Sequence, residues 1–237
     1  MSQIIDQQQK EHFDKENNQY DWRKIANPAH AQLLEIKHLL KFLALSPPKK
    51  ILDFGCGSGR MTIPLIQMGF DVCGYDISEN SLVNLKSYYL KNRKRNWGKL
   101  ITTNKLPNVK FDAVIGSDIL HHVSIPHTLP RLAALLRKKG VLVFSEPNPF
   151  HLPWYLFILI NLSWSVEKGI LLCSIPNLKK QFTKAGLTNF SFSGHGLFPT
   201  RLFNFSSMLS DWNAFSLSEL PILKYLAFRY IIKAYKQ

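Results

Sequence analysis

The chain has 237 residues, 46% of them hydrophobic and 19% charged, with 30 Lys and Arg against 16 Asp and Glu and a formal charge of +14. A chain this long buries roughly three quarters of the surface its unfolded form exposes, so one domain with additions needs neither disulfides nor a structural metal. Three widely spaced cysteines without a CxxC pair exclude a disulfide framework and a zinc ribbon, and imply a reducing compartment.

Residues 1–27 are polar and lack the apolar core and cleavage site of a signal peptide, which predicts a cytoplasmic protein. After Pro28, Leu33, Ile36, Leu40 and Leu43 recur at three- and four-residue steps, predicting an amphipathic helix that ends before Pro47 and Pro48. Short apolar runs at 51–54, 70–75, 111–116 and 141–145 read as buried parallel strands, and 79–90 and 125–137 as helices between them. That alternation is the signature of a doubly wound α/β sheet. Residues 152–166 then run without a charge, short of the roughly 20 needed to cross a bilayer. They read as an apolar helical cover over a ligand pocket, as a core-packing helix, or as a helix lying in the membrane interface. Phe203, Phe205, Trp212 and Phe215 continue this apolar wall, and 229–236 alternates as a last, antiparallel strand. The expected division is a lid and first helix (1–50), an α/β core (51–149), an apolar cap (150–178), and the rest of the sheet with a substrate wall (179–237).

The most informative stretch is Ile51-Leu-Asp-Phe-Gly-Cys-Gly-Ser-Gly-Arg60, a strand running into three glycines. Gly55, Gly57 and Gly59 are spaced two and two, unlike the two-and-three spacing of the dinucleotide fingerprint, and Asp53 lies just ahead of them. A carboxylate repels a pyrophosphate, so the loop predicts a ligand with a positive group there and no phosphate. S-adenosylmethionine (SAM) fits, with its amino group held by the loop or, through water, by Asp53. Asp76 ends the next strand, where a carboxylate can accept from both ribose hydroxyls; it or Ser78 is also placed to cap the following helix.

On these residues, and on GYDIS, FDAVIGSDILHHV, LLRKKGVLVFSEPN and LKKQFTKAGL, the chain resembles the class I SAM-dependent methyltransferases of the small-molecule branch over roughly 51–192. The resemblance implies a Rossmann-like seven-stranded sheet, with SAM as cofactor. The glycine loop with Cys56 would hold the methionine end, Asp76 the ribose and Ile77 the adenine, with Ser117 alongside. The family's acid at the adenine edge is replaced by Thr102, leaving Thr102 or Asn104 to bond the adenine amino group.

Methyl transfer depends chiefly on holding the acceptor atom in line with the S–CH3 bond, and needs a base only for a protonated acceptor. His121 and His122, after the fourth strand, are candidates for that base. Glu146, after the fifth, is a candidate for binding a cationic acceptor or acting as base. Asp118-Ile-Leu-His-His122 and Asn17-Asn-Gln-Tyr20 are similar to segments of the phosphoethanolamine methyltransferases, which would pair Tyr20 with His122 in a lid. His151 and His195 read as surface or satisfied residues.

The leading expectation is a methyltransferase for a small, hydrophobic or lipid-linked acceptor. Its positive charge favours a polyanionic neighbour, either an anionic membrane surface or nucleic acid. RNA methylation through the basic stretches 91–99, 137–139 and 179–184 is the alternative, although Asn148-Pro149 is not followed by the Pro-Tyr of base-amine methylation. A catalytically silent cofactor-binding partner protein is the third reading.

Overall fold

The computed structural model describes residues 30–46, 49–161, 164–198, 205–215 and 220–237. Its elements run α1 (His30–Leu43), β1 (Lys50–Phe54), α2 (Thr62–Gln67), β2 (Asp71–Tyr75), α3 (Glu79–Asn92), β3 (Leu100–Thr103), β4 (Phe111–Ser117), α4 (Ile125–Leu135) and β5 (Leu136–Pro147). Then follow α5 (Leu152–Asn161), α6 (Trp164–Glu167), α7 (Ile175–Lys184), β6 (Leu187–His195), α8 (Ser207–Phe215) and β7 (Arg229–Lys236). Short 3-10 turns occupy Leu120–His122, Lys168–Cys173 and Leu223–Leu226.

The seven strands form one sheet in the order β3-β2-β1-β4-β5-β7-β6. β1 to β5 pair in parallel, and β7 is antiparallel to both β5 and β6. This is the expected Rossmann-like doubly wound architecture with its last strand reversed. Consecutive strand residues feed opposite layers: Leu52, Val114, Leu142 and Phe144 pack with α4 and α7, whereas Ile51, Ala113, Ile115 and Val143 pack with α1 and α2. Burial on both faces explains why these strands read as unbroken apolar runs. The strand order reverses between β1 and β4, so the carboxyl ends of these two strands open the crevice where such sheets bind ligands.

Two local expectations change, and the reading of the uncharged run narrows. In α1 the buried face carries Leu34, Ile36, Leu39 and Leu43 with the polar Glu35 and His38, while Leu33 is exposed. The helix is turned so that Glu35 reaches a buried guanidinium. β3 and β6 form strands that the apolar pattern did not single out, because β3 is only half-buried at a sheet edge and β6 bears Thr, Asn, Ser and Gly and shifts register between Thr188 and Ser191. The uncharged run after β5 folds as the short α5 and α6; Trp154 and Ile158 bury against Ile170 and Phe228. Among the described residues no helix is long and apolar enough to cross a membrane.

Candidate active site

β1 delivers the chain into the glycine loop at the switch point. The Gly55 and Cys56 N–H groups both donate to the Tyr75 carbonyl of β2, at 2.9 and 3.0 Å, which ties the loop across two strand ends. Gly59 has φ +105°, and a Cβ there would lie 2.5 Å from Leu85, so this glycine, like Gly55 against Ile119, lets the loop pack down. Gly57 differs. Its φ is +50°, and a Cβ built on it meets nothing within 4 Å, because it faces the crevice.

Asp76 closes the loop from β2. Its Oδ2 accepts from Gly57 N–H at 2.7 Å and its Oδ1 from Ser78 N–H at 2.9 Å. The helix cap falls to Ser78, whose Oγ accepts from Ser81 N–H at 3.2 Å, so Asp76 is not needed for that task. Asp53 lies deeper and does not line the crevice. It is buried and accepts from Thr62 Oγ1 at 2.6 Å; burial pushes its carboxyl up to about 7 despite that hydrogen bond. Its place is behind the loop, as a support.

The crevice holds about 610 Å³ and is lined by Gly55, Cys56, Gly57, Asp76, Ile77 and Ser117 among the expected cofactor contacts. Thr102 and Asn104 are not among the lining residues. Thr102 pairs with Gly74 in the sheet, and the exposed Asn104 donates to Glu79 at 3.0 Å. Leu106 and one face of α4, with Thr128, Arg131 and Leu132, occupy that wall instead. The sequence held a signal for this wall: Ser124, Thr128, Arg131 and Leu132 fall on one helical face at three- and four-residue steps.

The two candidate histidines separate. His122 lines the crevice. His121 is clamped away from it, with Nδ1 2.6 Å from Glu146 and Nε2 3.3 Å from Glu167. Burial disfavours its cation, but the two carboxylates outweigh burial and raise the ring to about 10, so it is an imidazolium. Glu146 is wholly buried and also accepts from the N–H groups of Ile119 and Leu120, at 3.0 and 2.8 Å. Glu146 therefore does not face the crevice as expected: it fixes the turn that carries His122. Tyr20 lies outside the described residues. His151 and His195 are buried, the first bonding the Leu197 carbonyl at 2.8 Å and the second His38 at 3.1 Å.

A charged network that sequence reading missed forms the floor. Arg60 donates to Asp118 at 2.7 Å and to Ser117, and Arg229 donates to Asp118 while its Nε lies 3.3 Å from Glu35. Burial opposes ionisation of Glu35, yet Arg229 and Arg60 hold its carboxyl down at about 2. Asp118 is held below the usual carboxylate range for the same reason. Asp118 adopts φ +55°, so the chain turns sharply at the end of β4 to meet these two cations.

The residues present fit SAM. Ser58 Oγ, buried in the crevice wall, finds no hydrogen-bond partner among the described residues, which leaves a donor for the methionine carboxylate. A phosphate fits poorly, because Gly57 N–H already serves the Asp76 carboxylate that a phosphate would have to sit beside.

The family described as "Methyltransferase domain" matches residues 29–191. The ubiquinone biosynthesis O-methyltransferase of Pelagibacter ubique is 28% identical over 120 residues, 50% of this chain and 50% of that protein. Its namesake from Bradyrhizobium diazoefficiens is 31% identical over 101 residues, 42% of this chain and 40% of that protein. The chain thus matches about half the length of these curated relatives or less. Among solved structures, a SAM-dependent methyltransferase from Thermotoga maritima aligns with TM-score 0.65 at 18% identity, over 95% of this chain and 98% of that one. Magnesium protoporphyrin IX methyltransferase from Synechocystis PCC 6803 with bound SAM aligns with TM-score 0.61 at 18% identity, over 98% and 97%. By the family match across well over half its length, and by its sheet order, the chain belongs to the class I SAM-dependent methyltransferases.

Proposed function

We propose that the protein transfers a methyl group from SAM to a hydroxyl oxygen of a small, apolar or lipid-linked acceptor. The observation that carries this reading is the meeting, in one crevice, of the open Gly57 loop, the Asp76 carboxylate and His122. Bound SAM supplies a methyl group on a sulfonium, open to in-line displacement by the acceptor oxygen. Asp76 holds the ribose hydroxyls, the orphaned Ser58 hydroxyl and the loop hold the methionine end, and Ile77 and Leu106 cover the adenine. His122 takes the proton that the hydroxyl loses as its oxygen bonds to carbon, and the Glu146–His121–Glu167 clamp keeps the turn bearing His122 in place. The curated relatives named as ubiquinone biosynthesis O-methyltransferases support oxygen as the methylated atom. The apolar side chains of Ile119, Val123 and Leu132 along the crevice support an apolar acceptor, whereas α5, expected as a cover, contributes none of the lining among the described residues.

Incubation of the purified protein with methyl-labelled SAM and a cellular lipid extract tests this reading. Label is expected in an organic-soluble, base-stable ether. Asp76→Ala should weaken SAM binding by about 1–3 kcal/mol through lost ribose hydrogen bonds. Label appearing only in RNA from a total extract would overturn the acceptor class, and unchanged binding by Asp76→Ala would overturn the ribose assignment.

A further inference from the structure

We propose that the outer face of α5, together with the exposed turn at Leu223–Leu226, is a docking surface for an anionic lipid bilayer. The helix has two apolar faces, and among the described residues only one is covered. Trp154 and Ile158 pack on Phe228, while Leu152, Leu156, Leu159 and Ile160 are 77%, 64%, 74% and 80% exposed. The turn lies beside it: Asn148, just ahead of α5, donates to the Tyr225 and Ala227 carbonyls at 2.9 and 2.8 Å, and Ile222 and Leu226 are exposed as well. Ten residues of helix span about 15 Å, too short to cross a bilayer but long enough to lie in its interface.

Charge selects the occupant. The chain carries +14, and from residue 150 onward it has only three acids, Glu167, Asp211 and Glu219. Glu167 is buried against His121 and Asp211 pairs with His30, so the described acids here are already engaged. Lys168 is exposed just past α6, and Lys224, half-exposed with its ammonium 4.3 Å from the Phe192 ring centre, lies in the turn itself. Pairing two such surfaces would bring like charges together, whereas an anionic headgroup layer neutralises them while the leucines enter the acyl boundary. Docking is separate from methyl transfer and is read without any methyl donor, so failure of one leaves the other standing.

The test is co-sedimentation of the full chain with phosphatidylcholine vesicles with and without phosphatidylglycerol. Binding is expected only to the anionic vesicles, and Leu156→Ser with Ile160→Ser should lower partitioning about tenfold. Circular dichroism reports the fold of this variant, and Leu152→Ser with Leu159→Ser is a second pair on the same face. The proposal falls if the unmodified chain ignores anionic vesicles, or if both pairs bind as it does. It also falls if light scattering shows a dimer of the unmodified chain that the substitutions dissolve, since a second copy would then cover the face.

Discussion

Replacing His121 with alanine is expected to destabilise the fold by about 3–5 kcal/mol at pH 7, a large share of what an ordinary domain possesses. The ring is buried between Glu146 and Glu167, and its removal leaves two carboxylates facing each other without the cation that makes them tolerable. The pH dependence has a definite sign. A histidine raised from 6.5 to about 10 gives its full contribution below its ordinary value and loses it progressively as pH rises toward 10. Urea unfolding should therefore show the gap between the unmodified chain and His121→Ala widest below pH 6.5 and narrowing as pH rises toward 10. A variant within about 1 kcal/mol of the unmodified chain at pH 7 would show that the clamp does not hold the structure.

His122→Ala should behave in the opposite way, with nearly unchanged stability and turnover lowered by about 10²- to 10⁴-fold, the range of a lost general base. Its ring lies 4.0 Å from that of His121 but lines the crevice. SAM affinity should stay within about threefold, since the Asp76 and loop contacts remain. Single-turnover rates with a hydroxyl acceptor, alongside calorimetric SAM binding, separate the two effects. Equal loss of affinity and turnover would move His122 from proton transfer to cofactor binding.

The contrast between these neighbours shows where sequence reading reaches its limit. The placement of the glycine loop and Asp76 at the crevice was legible because it rests on local geometry: a strand, a tight turn and the end of the next strand. Which of two adjacent histidines enters the crevice depends on a three-residue 3-10 turn, where each residue rotates by about 120°, and on a partner at the end of β5. Glu146 read as facing the crevice because strand-end acids in such sheets often do. Its burial follows from the Ile119 and Leu120 amides that point back at it. The Arg60–Asp118–Arg229–Glu35 network joins residues almost 200 positions apart, and neither periodicity nor motif spacing carries that information. Thr102 took the place of the adenine-edge acid by its distance from Leu106-Pro107. The structure keeps it in the β2–β3 pairing, and α4 fills the wall.

The proposed methyl transfer requires the loop at the end of β1 to accept a nucleoside-linked amino acid in preference to a phosphate-bearing coenzyme. Calorimetric titration of the purified chain with S-adenosylhomocysteine, and in parallel with NAD, tests that directly. A saturable single-site isotherm with the first and no heat of binding with the second is the predicted result. Saturable NAD binding, or none with S-adenosylhomocysteine, would contradict it.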